Sequence, residues 1–346
     1  MESAPENFPE LLTLWLFERF SAFQGDEEKG CVIMPLELVE SNGNTLKQCL
    51  IKCASHWSLP DPFLKWIEDH NHFCNSLVDR IVPGFPSDQQ EKLWRRIEWK
   101  DEMMVRCEDY HYWVMDNKEL IKNEIPFHDT ELNVNLVEDV AIHRKIKVRV
   151  LNGAHTAMVP IALMDGLKFV SQAMNHSLIS EYIKRMVLEE ILPFIEAPEA
   201  ELEQFASDVF KRFRNANIQH HLIDISLQSI TKFRLRLLPT IKEYYAEHHK
   251  TPPLASGSLA ALMALYIHQS QLKAPEIKAN PENLTWMRQA WKEKTGYDDF
   301  AKTILGNVEF WQENLNDIPG LTDCFAADLQ QLIEVGVNRF LQEKLG

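Results

Sequence analysis

A chain of 346 residues has room for about two domains of ordinary size, and 45% hydrophobic with 25% charged residues is the composition of a protein that folds around a core. The formal net charge of −15 argues against nucleic acid or an anionic membrane as the main partner, while leaving room for an anionic small molecule in a local basic pocket. No apolar run approaches a membrane span, the acidic opening (Glu2, Glu6, Glu10) lacks the cationic start of a secretory signal, and six scattered cysteines without a CxxC pair read as free core thiols in a reducing cytoplasm.

Residues 8–24 show the 3–4 spacing of an amphipathic helix (Leu11, Trp15, Phe20, Phe23), ended by Gly25-Asp26. Residues 31–35 are an all-apolar run suited to a strand covered on both faces. A helix followed by such a strand looks like the last unit of a parallel α/β sheet, so the opening is expected to be the end of a domain. Helices are expected at 45–57 and 59–68, and a strand at 73–82 before the turn at Pro83-Gly84-Phe85-Pro86. Ser87-Asp88 is expected to cap the next helix. Residues 110–115 and 132–137 read as strands of a small mixed sheet, joined by a strand from Lys147 that breaks at Asn152-Gly153 and restarts as a helix.

Beyond Gly153 the pattern is almost entirely helical, with 3.6-residue periodicity at 178–194, 198–214, 219–227, 231–247, 256–270, 281–293 and 320–345. Punctuation falls at Ala197-Pro198, Thr251-Pro252-Pro253 and Lys273-Ala274-Pro275. The expected fold class is an α/β remnant plus a mainly α domain: the end of a parallel sheet, a small mixed sheet and a large C-terminal helical domain.

Three segments carry chemistry. Lys147, Asn152 and His155 together can handle the oxygen of an alcohol or carbonyl without a metal, a lysine serving as acid or base and the other two donating hydrogen bonds. The alternative is an edge-strand lysine, a turn asparagine and a helix histidine. In the second segment, Asp79-Arg80 inside an apolar strand is either a structural ion pair or places Arg80 toward a phosphate or carboxylate. In the third, Arg212 and Arg214 with Asn215, His220, His221 and Lys232 form a carboxylate clamp or a solvated helix end. His143, His155 and His220 are too dispersed to suggest zinc. Cys49 and Cys53, one helical turn apart, read as thiols in preference to a metal or redox pair.

Residues 75–83, N-S-L-V-D-R-I-V-P, resemble the signature strand of the mannitol dehydrogenase family, the long-chain polyol and hexuronate dehydrogenases. Lys147 through His155 matches that family's Lys-x4-Asn-x2-His run. The wording L-N-G-A-H-T-A at 151–157, F-E-R-F at 17–20 and R-F-R-N at 212–215 is closest to its tagaturonate reductase (altronate oxidoreductase) branch. The resemblance implies NAD-linked, metal-independent interconversion of tagaturonate and altronate. Lys147 is then the general acid in reduction, and Asn152 and His155 orient the carbonyl. Arg212, Asn215, His220 and Lys232 become candidates for binding the sugar acid, and Asn75 and Arg80 for the cofactor.

Two departures from the family shape the expectations. A Cys-Asp-Asn-Leu segment of mannitol dehydrogenases supplies an asparagine to the oxyanion site, whereas residues 35–38 here read P-L-E-L. Glu37 would stay protonated, pair with Lys147 or read a substrate hydroxyl. No G-x-G-x-x-G occurs in the chain. Residues 1–150 are therefore expected to hold only the C-terminal remnant of a dinucleotide-binding Rossmann domain with the small mixed sheet, and 151–346 the helical substrate-binding domain. Besides the reductase reading, this leaves a non-catalytic remnant that binds a sugar acid or a partner protein without NAD, or an enzyme for fructuronate or a polyol.

Overall fold

The computed structural model describes residues 5–268 and 277–346, so Glu2, the tail of the expected 256–270 helix and the punctuation at 273–275 lie outside the described residues. Two compact units emerge, one of residues 1–81 and 109–144, the other of 82–108 and 145–346.

The first unit opens with α1 (Phe8–Ala22), whose start is fixed by the Asn7 side chain accepting from Glu10 N at 3.1 Å and by Pro9 in the first turn. Next come β1 (Val32–Ile33), α2 (Asn42–His56), α3 (Asp61–His70) and β2 (His72–Phe73). β2 pairs parallel with β1, Val32 opposite His72 and Ile33 opposite Phe73. Parallel neighbours require a crossover, and α2 and α3 provide it, burying Leu46, Leu50, Phe63, Trp66 and Ile67 with Leu16 of α1. The Cys31 strand is thus not the last of its sheet; the chain crosses over and returns beside it. Both its residues are half-buried instead of fully covered.

The expected 73–82 strand divides. β3 (Ser76–Asp79) leaves β2 at Cys74-Asn75 and pairs antiparallel with β4 (Tyr112–Met115), which pairs parallel with β5 (Val134–Leu136). The break is held by Asn75, whose backbone N–H and side-chain Nδ2 both donate to the Asp116 carboxylate at 2.8 Å. Between β3 and β4 the chain contributes α4 (Gln90–Ile97) to the second unit; α5 (Lys118–Glu124) follows β4. Ser87 and Asp88 do not cap α4. Its N-cap is Gln89, without a side-chain cap bond, and Asp88 instead pairs with Arg106 at 2.8 Å.

The division between units falls inside α6 (Ala141–Ile146), which continues through a π-helical turn, Lys147–Asn152, into α7 (Gly153–Met164). The expected strand at Lys147 is therefore a helix. Every residue from Gly153 to Leu163 is buried, and a segment covered all round is best satisfied when its backbone bonds close within itself. Asn152-Gly153 makes no turn. Gly153 has ordinary helical angles and its N–H reaches back to Val148 O.

The helical unit continues with α8 (Val170–Asn175), α9 (Ser177–Arg185), α10 (Glu199–Phe213), α11 (Leu222–Ile225), α12 (Ser229–Arg236), α13 (Leu238–His248), α14 (Pro253–His268), α15 (Pro281–Glu293), α16 (Tyr297–Leu305), α17 (Val308–Trp311), α18 (Leu321–Glu334) and α19 (Val337–Leu345). At the centre α14 packs against α7 and α18, its first amides capped by the buried Glu190 carboxylate, which accepts from Leu254 N at 2.8 Å and Ala255 N at 2.7 Å. Burial pushes the Glu190 carboxyl up to about 7 against the pull of those two bonds. The expected 231–247 helix is divided at Leu237, with Pro239 opening α13. The expected 320–345 helix breaks at Gly336, whose φ of +84° suits glycine. The 219–227 helix shrinks to α11. All six cysteines are free thiols, and Cys74 alone among them is fully buried. No described helix is long and apolar enough to cross a membrane.

Gly43, in the first turn of α2, lies so close to the β2–β3 junction that a Cβ there would stand 2.5 Å from Cys74 O. Gly43→Ala gains about 1 kcal/mol of helix propensity but forces a backbone shift of the kind that costs about 1–3 kcal/mol. Urea unfolding should show a net loss of stability; a stabilised variant would contradict this close approach.

Candidate active site

In a regular helix, residues five apart lie about 140° round the axis. In the π turn the hydrogen bonding runs i to i+5, which stacks residue i+5 over residue i. Asn152 is five residues after Lys147, and His155 is a further three, roughly one helical turn. The π turn thus brings Lys147, Asn152 and His155 onto one face of a buried helix, Lys147 only 7% exposed and His155 5%. Thr156, one residue on, donates its hydroxyl to Asn152 O at 2.8 Å.

His155 is stacked on Phe213 at a ring separation of 4.1 Å and meets the His220 ring edge-on at 5.0 Å. Its Nε2 is buried without a hydrogen-bond partner among the described residues, as is Nδ1 of His220. Burial, reinforced by His220, Arg236, Arg212 and Lys232, holds the His155 pKa well below the usual histidine range. His220 is pushed down to about 4, by burial first, with Asp224 opposing and His221 and Lys232 adding. Both rings are neutral near pH 7, each with one N–H to donate.

The cations beside them are half-buried. Lys232 is lowered to about 8 by burial and then by Arg236; its Nζ donates to Ile225 O at 2.8 Å. Arg236 is lowered to about 10 by burial, and its Nη1 donates to Thr156 Oγ1 at 3.2 Å. Residues 232 and 236 lie one turn apart on α12, a spacing at which like charges repel.

Of the residues expected to bind substrate, His220 and Lys232 gather round His155. Arg212 acts on His155 electrostatically, but its guanidinium is no open clamp: Nη2 and Nε meet the buried Glu108 carboxylate at 2.7 and 3.1 Å. Asn215 caps the turn after α10, its Oδ1 accepting from Asn217 N at 3.0 Å. Glu37, Asn75 and Arg80 belong to the first unit, where Glu37 and Arg80 are exposed. Sequence reasoning missed Arg236, Thr156 and Phe213. Arg236 was findable as the residue four after Lys232, on the same helix face. Among the described residues no three His, Cys, Asp or Glu side chains gather as a metal site.

The first unit also offers the features of a cofactor end. Open α/β sheets receive ligands beyond the carboxyl ends of their parallel strands, and the segments leaving β1 and β2 carry Glu37 and Asn75 there. Asn42 ties these segments together, donating to Pro35 O at 3.0 Å and Glu37 O at 3.1 Å while accepting from Ser76 N at 2.8 Å. Gly43 lets the α2 N-terminus approach the same place. Asn75 Oδ1 accepts from Asn44 N at 3.2 Å in that turn.

A βαβ unit and a helical unit that carries Lys147, Asn152 and His155 agree with a dehydrogenase of polyols or sugar acids, the class to which the chain's relatives belong. Residues 3–129 match the model of the mannitol dehydrogenase Rossmann domain, and 139–333 that of the mannitol dehydrogenase C-terminal domain. The chain belongs to the mannitol dehydrogenase family. It is 39% identical over 345 residues to an altronate oxidoreductase of Bacillus subtilis (strain 168), covering 99% of this chain and 70% of that one. An altronate oxidoreductase of Pectobacterium atrosepticum is 36% identical over 346 residues, with 97% and 71% covered. Among solved structures, the ternary complex of Pseudomonas fluorescens mannitol 2-dehydrogenase with NAD and D-mannitol superposes with a TM-score of 0.76 at 22% identity, covering 99% of this chain and 67% of that one. Substrate-free D-sorbitol dehydrogenase gives 0.77 at 20%, with 97% and 67% covered. The match over residues 3–129 overturns the expectation of a mere Rossmann remnant, which rested on one absent glycine loop.

Removing one partner of a buried ion pair strands the other charge, at about 3–5 kcal/mol. Glu108→Ala should therefore lower the unfolding free energy by about that amount in denaturant titration; a change below about 1 kcal/mol would mean Arg212 finds water. Because His220 binds its proton near 4 in the folded chain but near 6.5 when unfolded, the unfolded state takes up more protons between those values. Stability should be full above pH 6.5 and fall as pH drops toward 4. His220→Gln should flatten part of that slope, His155 keeping the rest; an unchanged slope would remove His220 as its source.

Proposed function

We propose that the chain is an NAD-dependent oxidoreductase interconverting D-tagaturonate and D-altronate, with Lys147 as the general acid in reduction and general base in oxidation. The observation that carries this reading is the helical run Lys147–Asn152–His155, in which Lys147 and His155 are buried and Asn152 is half-buried, with a neutral His155 surrounded by Lys232, Arg236 and Arg212. A ketone under reduction needs a proton for its developing alkoxide and donors pointed at that oxygen in a place water does not reach. Lys147 supplies the proton from Nζ. Asn152 donates through its carboxamide and His155 through its N–H, the unpartnered Nε2 being the nitrogen available. Phe213 fixes the imidazole plane by stacking on it.

The surrounding positive charge favours a substrate that brings a carboxylate, and the names carried by the relatives in Bacillus subtilis and Pectobacterium atrosepticum support a sugar acid over a neutral polyol. NAD is the cofactor, supported by the Rossmann match and by the NAD complex of the mannitol 2-dehydrogenase neighbour. When bound it gives or takes the hydride, and Asn75, with Arg80, is placed in the unit that would hold it.

NADH oxidation measured with tagaturonate, fructuronate and fructose side by side tests this. Tagaturonate should be reduced with the highest kcat/KM, and Lys147→Ala should lower kcat about 100- to 10,000-fold, the usual worth of a positioned proton donor. Equal rates in both proteins would remove Lys147 from the chemistry; preference for fructose would remove the sugar acid.

A further inference from the structure

Three arginines lie on or against the Lys147–Met164 helix, and the structure treats them unequally. Arg149, in the π turn, meets Glu243 at 2.6 Å and Thr240 at 3.0 Å. Arg212 meets Glu108 at 2.7 Å. Arg236, next to the catalytic face, has only the uncharged hydroxyl of Thr156, at 3.2 Å, as its hydrogen-bond partner among the described residues. Lys232, one turn away on α12, also bonds a neutral group, the Ile225 carbonyl. Withdrawing a cation from water is costly unless an anion compensates it, and two such cations at i and i+4 add repulsion. The first two arginines have their acids built into the fold. The third is half-buried and has no acid against it, beside the two buried ring nitrogens of His155 and His220 that also lack partners among the described residues.

We infer that Arg236, seated by Thr156 and backed by Lys232, binds the carboxylate of the sugar acid and thereby selects acids over neutral polyols. This rests on the sugar-acid reading above and names the residue that enforces it. Thr156 engages one guanidinium nitrogen and anchors it to the backbone of Asn152, because the same hydroxyl donates to Asn152 O. The remaining N–H groups are left for a two-pronged contact with a planar carboxylate, a geometry that arginine offers and lysine does not. The hydroxyl therefore fixes the distance between the carboxylate end of the substrate and the carbonyl end held by Asn152 and His155.

The test is calorimetric binding of D-altronate, and of altritol as its uncharged counterpart, to the wild type, Arg236→Gln and Arg236→Lys, with melting curves for each. Arg236→Gln should weaken altronate at least 10-fold and leave altritol within about 2-fold, with Arg236→Lys in between. Equal weakening of both ligands, or none for altronate, overturns the proposal. If Arg236→Gln does not fold, the comparison moves to Arg236→Lys against altronate and its primary amide: a charge-reading site loses the lysine effect when the ligand is neutral, and an unchanged effect overturns it. Altronate that binds the wild type but ignores both substitutions sinks this inference and spares the proposed function. A wild type that binds and reduces no sugar acid sinks both.

Discussion

A helix covered on every side must close its backbone hydrogen bonds within itself, and the segment from Gly153 to Leu163, which the π turn feeds, is built under that constraint. The π turn at Lys147–Asn152 meets it while changing the angular position of everything that follows. In a regular helix Asn152 would lie about 140° round the axis from Lys147; the wider π turn brings the two toward the same side. The close packing of Gly153 against Leu237 and the carbonyl of Arg236 follows from the same turn. A Cβ at residue 153 would stand 3.3 Å from Leu237 Cδ2, so that side chain would have to give by a few tenths of an ångström. Leu237 directly follows α12, the helix that carries Lys232 and Arg236.

Burial then decides the charge states. The imidazoles of His155 and His220 lose their protons in the folded chain because burial excludes water, with cations adding at His155 and Asp224 opposing at His220. A neutral imidazole keeps one N–H with which to donate to an oxygen. The acids needed to hold this arrangement together sit elsewhere: Glu108 on Arg212 and Glu243 on Arg149 neutralise two arginines that brace the helix, and neither carboxylate appears among the causes that shift His155.

Much of the helical unit was legible from 3.6-residue periodicity, and the Lys-x4-Asn-x2-His run lies where the π turn passes into α7. Its conformation was misread for a physical reason. Lys147 to Leu151 alternates polar with β-branched or branched apolar residues, the strand pattern, and Asn-Gly is common turn chemistry. Burial on all sides overrides both signals, because alternation says nothing of what a third layer covers. The break of the 73–82 strand was hidden likewise, since Asp116, which holds Asn75, is distant in sequence. Arg212 looked like an open clamp because Glu108 is more than a hundred residues earlier. At the front, weight was placed on a glycine fingerprint that is only one loop, whereas the parallel return of β2 beside β1 depends on the α2–α3 crossover and on side chains spread along the whole segment.

The overall charge explains why recognition must be local. A chain with net charge −15 repels an anion at long range, although at physiological ionic strength that repulsion fades over about 8 Å. Surface lysines would offer a sugar acid little, being screened and surrounded by acids. Cations withdrawn from water next to unpartnered ring nitrogens act at short range, where screening is weakest and a carboxylate is held by hydrogen bonds as well as by charge. On the proposed reading, the half-buried Lys232 and Arg236 are the groups that distinguish an acid from an alcohol.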